Sequence, residues 1–145
     1  MTMSGESNLA ELLSTMSPAL APDEYVFSTV TSERRKGISA PVLMEFQEVE
    51  GVTLIWSRED AEKEGLSYTY PCRLITLTVH SSLEAVGFLA VITQRLAEAR
   101  ISVNAVSAFY HDHLFIPTEK AELAMKILRG IAHNVEPDPM DSHRS

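Results

Sequence analysis

One cysteine, one tryptophan and no apolar run near membrane-span length set the first limits on this chain of 145 residues. Cys72 has no second cysteine to pair with, which excludes an internal disulfide and fits a reducing, cytoplasmic setting. A spanning helix needs about 18 consecutive apolar residues, so no membrane partner is expected. Basic residues are scarce: 12 Lys and Arg stand against 20 Asp and Glu, a formal charge of −8. They cluster only at Arg34-Arg35-Lys36, a solvated loop or an acidic-partner contact, so nucleic acid is not an expected partner. Residues 1–8 show no basic stretch followed by an apolar one, and no secretory signal is expected. The sequence also lacks a G-x-S-x-G elbow, an H-E-x-x-H pair and a P-loop. Cys72 follows Pro71 in a connector, and Ser81 lies directly beside His80, where a base–nucleophile hydrogen bond is seldom made. The reading is therefore no enzyme and no cofactor.

What remains is an ordinary globular composition, 45% apolar and 22% charged. A chain of this size buries roughly 70% of its extended surface and needs no metal to fold. Leu9, Leu12, Leu13 and Met16 recur at helical spacing, with Ser7 or Asn8 as cap, and predict a helix over 8–17 that Pro18 ends. Residues 25–31 are β-branched and aromatic and predict a strand; 32–40 reads as a loop. Alternation over 41–50 and 52–56 predicts a hairpin turning at Glu50-Gly51. Ser57 caps a short helix that Gly65 ends.

The stretch 73–117 organises the rest. Ile75, Leu77 and Val79 alternate with Thr76, Thr78 and His80 in a strand, which stops at the polar turn His80-Ser81-Ser82. A helix of some sixteen residues follows, with Ala85, Leu89, Ile92, Leu96 and Ala99 on one stripe. Ile101 then opens a hairpin through Tyr110-His111-Asp112-His113. A last helix carries Ala121, Ala124, Ile127, Leu128 and Ile131. The tail 134–145 is polar, has two prolines and is expected to be disordered.

The chain also repeats itself. Offset by sixty residues, 54–62 lies over 114–122; the first strands align with Val30 over Val79. This predicts a module at 22–68 that lacks its first helix and a complete module at 70–133.

The turn admits two uses. Ser81 and Glu84 fit a capping box. The same helix start, with free amides and a positive dipole end, suits a carboxylate. Gly87 would let a ligand approach, and Glu84 could hold an ammonium. Asn104 brings donor and acceptor capacity, or is a solvated strand end. His111 and His113 could share a metal on one strand face, but no Cys/His cluster completes a site, so no metal is expected. Asp112 and His111 fit turn chemistry, with ligand or interface contact for His111 as the sharper reading.

The residues V-H-S-S-L-E-A-V-G-F-L-A-V-I-T-Q-R-L over 79–96, followed by A-E-A-R-I-S-V-N, resemble an ACT domain. With Y-H-D-H-L-F-I-P at 110–117, they resemble bacterial ACT-domain proteins of the CASTOR-like branch, over about residues 8–132. Arg100 departs from that pattern, which has glycine there. The resemblance implies α+β, ferredoxin-like (βαββαβ) modules in tandem, an antiparallel sheet with helices on one face. It implies a free amino acid as ligand and a homodimer. It places the ligand on His80, Ser81, Ser82, Leu83, Glu84, Val86, Gly87, Asn104 and His111. The expected function is an amino-acid-binding regulatory module that changes module or subunit arrangement. A ligand-free assembly module of the same fold is the alternative.

Overall fold

The computed structural model describes residues 5–79, with side chains from Asn8, and residues 85–133. The order is α1 (Gly5–Thr15), β1 (Ser17–Val30), α2 (Ser32–Lys36), β2 (Met44–Gln47), β3 (Val52–Ser57) and α3 (Arg58–Glu64). Then come β4 (Thr69–Thr78), α4 (Phe88–Glu98), β5 (Asn104–Ser107), β6 (Asp112–Pro117), a 3₁₀ turn at Thr118–Lys120 and α5 (Ala121–His133).

Six antiparallel strands form one sheet in the order β2-β3-β1-β4-β6-β5. Two long strands at its centre each serve both halves. The start of β1 pairs with the end of β4, Ser17 opposite Thr78 and Leu20 opposite Ile75. The end of β1 pairs with the start of β4, Tyr25 opposite Cys72 and Phe27 opposite Thr69. One half is then β2-β3-β1-β4 and the other β5-β6-β4-β1, each with the same order of strands around its own helices. The second half takes its fourth strand from the N-terminal part of the chain. The divide expected between 68 and 70 thus falls at the start of a strand that both halves use.

Local chemistry explains the differences from the sequence reading. β1 begins at Ser17, eight residues earlier than the strand predicted from residue 25. Pro22, which cannot donate to a ladder, falls within the register shift between Leu20 and Glu24, where no ladder bond is needed. The N-terminal helix accordingly ends at Thr15, not at residue 17. The predicted loop at 32–40 contains α2, because the Thr31 hydroxyl accepts a hydrogen bond from the Arg34 N–H at 3.0 Å and caps a single turn. The first half therefore has a helix in that place, five residues long. The hairpin at Glu50-Gly51 is present, closed by Glu48–Gly51 backbone bonds. Ser57 caps α3 as expected, accepting from the Asp60 N–H at 3.0 Å.

Helices cover one face of the sheet. Ile75, Leu77, Leu114 and Ile116 meet Leu12, Leu13 and Met16 of the N-terminal segment, Ile92 and Leu96 of α4, and Leu128 of α5 in one core. Each such side chain contributes about 1.5–3 kcal/mol on burial. A smaller core holds Val26, Leu54, Trp56 and Ala61. Its one buried polar group is satisfied: Trp56 Nε1 donates to Ser28 Oγ at 3.0 Å, and Ser28 donates to the Ser67 carbonyl at 2.8 Å. The opposite face carries Ile55, Cys72 and Phe115 packed with Tyr25, Phe27, Met44 and Tyr70, strand residues throughout.

Candidate ligand-binding site

The strand-to-helix turn predicted as the site wall is only partly described. His80, Ser81, Ser82, Leu83 and Glu84 lie outside the described residues. The helix they were expected to open begins at Phe88, so it runs eleven residues rather than about sixteen. Gly87 is its N-cap, with φ 91° and no side-chain hydrogen bond to the first turn. The capping box expected of Ser81 and Glu84 lies outside the described residues. Among the described residues, a Cβ on Gly87 would meet Leu9 Cδ2 at 3.5 Å, an ordinary contact, while its backbone conformation by itself calls for glycine. Its carbonyl accepts the first helical bond, from Val91 at 3.1 Å. Val86 is 87% exposed, while Ala85 packs on the core. Phe88, absent from the predicted stripe, is buried beside Ile92 and Leu96.

His111 comes to the same end of the sheet. β6 begins with Asp112 opposite Leu77, which sets His111 beside the last residues of β4 that lead into the turn. Its Nδ1 is buried and has no partner among the described residues. The ring lies 6.4 Å from Tyr110 and 6.5 Å from His113. Phe109 and Tyr110 are exposed at the hairpin tip, their centroids 5.0 Å apart. His113 Nδ1 and Thr76 Oγ1 are hydrogen-bonded at 2.9 Å across β4 and β6. Burial, with the neighbouring His111 charge, holds the His113 pKa below the ordinary histidine value, against the pull of Asp112. Sequence reasoning missed this Thr76–His113 pair. The signal was Thr76 on the polar face of its strand, readable only once the β4–β6 register is known.

Asn104 is not brought to this group. It is exposed at the start of β5, opposite Phe115, which pairs with Leu74. That is four residues up β4 from Thr78, about 13 Å along the strand. Among the described residues no group of three potential ligands could hold a metal. Cys72 is fully buried, and burial together with the Glu24 charge pushes its thiol up to about 12. It carries no thiolate at neutral pH.

A second polar group sits where the halves meet. Glu24 Oε2 accepts from Thr118 Oγ1 at 2.6 Å, and Oε1 accepts from Arg58 at 3.1 Å. Arg58 also donates to Tyr68 at 3.0 Å, and Tyr68 donates to Glu62 at 2.7 Å. The Thr118 hydrogen bond, then that of Arg58, holds the Glu24 carboxyl below its usual range, although partial burial opposes them. The sequence reading assigned Glu24 no role.

Sequence and fold comparisons agree on kinship. The ACT-domain profiles match residues 4–73 and 69–130. The chain belongs to the ACT-domain family. It is similar, at 43% identity and a TM-score of 0.81, to a Vibrio cholerae protein of unknown function described as a possible transport protein; the match covers 89% of this chain and 99% of that one. Two more distant solved structures share the fold alone. One is the ligand-free regulatory subunit of aspartate kinase from Thermus thermophilus, with 15% identity, a TM-score of 0.59, and 82% and 97% of the two chains covered. The other is an Agrobacterium tumefaciens protein, with 11% identity, a TM-score of 0.63, and 81% and 89% covered. No curated protein matches the chain. The tandem ACT organisation and the ferredoxin-like sheet expected from sequence are therefore observed. No helix is long and apolar enough to cross a membrane among the described residues.

Proposed function

We propose that this chain is a regulatory module that binds a free amino acid at the turn 80–87, rather than a catalyst. The observation that carries the reading is the start of α4. Gly87 caps it with backbone alone, so no side chain among the described residues occupies the first-turn amides, and the dipole end there favours a carboxylate. His111, whose buried Nδ1 has no partner among the described residues and lies beside the same end of β4, supplies a second polar contact. Glu84 is assigned the ligand ammonium. Asn104, about 13 Å away along the strand, would reach such a ligand only from a second chain.

Ligand binding acts by population shift. Because β1 and β4 each run through both halves, the two ACT units of one chain cannot rotate apart without breaking ladders. The movement that a partner reads is therefore between chains, in a cytoplasmic homodimer. The helix-free face supports this assignment: Tyr25, Phe27, Met44, Tyr70 and Leu74 lie there partly exposed. That same face favours the second reading, a ligand-free assembly module.

A thermal-shift screen with the twenty amino acids at millimolar concentration separates the two. Stabilisation by one or a few of them is expected, since a ligand that binds only the folded state raises apparent stability. No shift with any of them, alongside a stable dimer, supports assembly alone.

A further inference from the structure

The strand register sorts the charge of the sheet by face. Residues paired across a ladder share a side, and successive residues along a strand alternate. By that rule Glu24, Glu45, Arg73 and Asp112, the charged residues of the ladder pairs, all fall on the helix side. The helix-free side receives Met44, Ile55, Phe27, Leu74, Phe115 and Val106, one from each of the six strands. No ladder pair brings an Asp, Glu, Lys or Arg to it. Two carboxylates reach its margin: Glu48 accepts from Thr53 near the β2–β3 turn, and Asp23, outside the ladder pairs, acts on Tyr25.

Charge and size select the occupant. The chain carries −8, so two copies repel over most of their surfaces, and a side without charged ladder residues is where they meet at least cost. Six strands, spaced about 4.8 Å apart and paired over roughly five residues, give each face about 500 Å². Two such faces bury about 1,000 Å², the lower bound of a specific interface. We propose that two copies of this chain pack face to face through the helix-free sides of their sheets, and that protonation of His113 separates them. The interface rests on the homodimer named above and adds its surface and its regulation; it needs no amino acid.

Histidine alone changes charge between about pH 5 and 8, and the ladder pairs place one on this face, His113. Thr76 of β4 and Val106 of β5 lie opposite it, and neither ionises. Its Nδ1 is hydrogen-bonded to Thr76 Oγ1 at 2.9 Å. On its own strand the His111 ring stands 6.5 Å away, and Asp112 points to the helix side. Burial and then His111 hold the His113 pKa below the ordinary value, against Asp112, so the face is neutral at neutral pH. A second sheet removes the remaining water and lowers that pKa further. Association is therefore at full strength above the free-chain value and weakens as pH falls below it.

Sedimentation equilibrium of the full chain without ligand, from about pH 8 down to about pH 5.5, tests it. A dimer is expected at the upper end, with its Kd rising at least about tenfold below about pH 6.5. Over that range the chain approaches its pI of about 5.0, and the shrinking net charge favours association. Dissociation there thus reports a group inside the contact. His113→Asn, which keeps an amide beside Thr76, should stay dimeric throughout. Phe46→Lys puts a charge on this face at a position 61% exposed, and should weaken the dimer at least about tenfold at about pH 8 with circular dichroism unchanged. Should it fail to fold, Thr29→Lys, exposed on the same face, takes its place. A dimer that the lysine variant leaves intact would overturn this surface and leave a homodimer through another. Wild type that stays dimeric at low pH, or pH dependence that persists in His113→Asn, would overturn the role of His113. A monomer at every pH would overturn the homodimer as well, without touching amino-acid binding, which the thermal-shift screen decides.

Discussion

Arg58 and Thr118 hold the same position in the two copies of the repeat, sixty residues apart, and both bind the carboxylate of Glu24. One side chain in the irregular part of β1 thus ties the starts of the two corresponding helical segments together. Glu24→Gln is expected to cost about 1 kcal/mol near neutral pH, because it exchanges two hydrogen bonds to a charged group for weaker ones. The sign with pH follows from the depressed pKa. The stabilisation is fully present above the unfolded carboxyl value, about 4.3, and is lost as pH falls through the lower folded value. Urea unfolding of both proteins across pH should show the gap closing below about pH 4. A gap independent of pH would mean that the charge on Glu24 contributes nothing.

Two helices end in the same way with different residues. Gly65 N–H donates to the Glu62 carbonyl and Leu66 N–H to Ala61; Arg100 N–H donates to Ala97 and Ile101 N–H to Leu96. Both patterns are Schellman motifs, and both put a positive φ at the turn residue, 69° for Gly65 and 61° for Arg100. Arginine tolerates that conformation less well than glycine. Arg100→Gly should stabilise by about 0.5–1 kcal/mol, and Gly65→Ala should destabilise by about 1 kcal/mol. Chemical denaturation midpoints measure both.

α1 is a structural part of the second half. Leu12, Leu13 and Met16 are all below 10% exposed and join the α4–α5 core. Leu13→Ala should cost about 2–4 kcal/mol in global stability. A loss below about 0.5 kcal/mol, the surface-substitution range, would show instead that the helix docks loosely.

How much of this was legible in the sequence depends on the range of each interaction. The hairpin at Glu50-Gly51, the Ser57 cap and the Gly65 stop are local, and residue chemistry alone specifies them. The departure at Arg100 was also legible, as an arginine where the family pattern has glycine; its left-handed turn came only with the structure. The exchange of strand halves was not. Ser17–Val30 reads as two short pieces around Pro18 and Pro22, and only the pairing with β4 makes it one strand. The start of α4 was misplaced because Ser81 and Glu84 satisfy a capping pattern that outranks Gly87 locally, while burial of Phe88 against the core sets the true start. Of the candidate site, His111 was named from its place in the hairpin. Its neighbours Thr76 and His113 were not linked, because they are thirty-seven residues apart and meet only through sheet register.

His111→Ala separates a binding role from a structural one. Its Nδ1 is buried without a partner among the described residues, so its removal takes away no hydrogen bond seen there. The melting temperature should stay near that of wild type, while affinity for the stabilising amino acid falls about fivefold. A drop in stability with unchanged affinity would assign His111 to the hairpin alone.

Hydrogen exchange on the full chain, with and without the amino acid that stabilises it, tests the central claim most directly. Added ligand should protect the peptides that cover residues 79–91 and 108–113, and Glu84→Gln should remove that protection. Protection confined to other segments, or undiminished in Glu84→Gln, would contradict a ligand held at the start of α4.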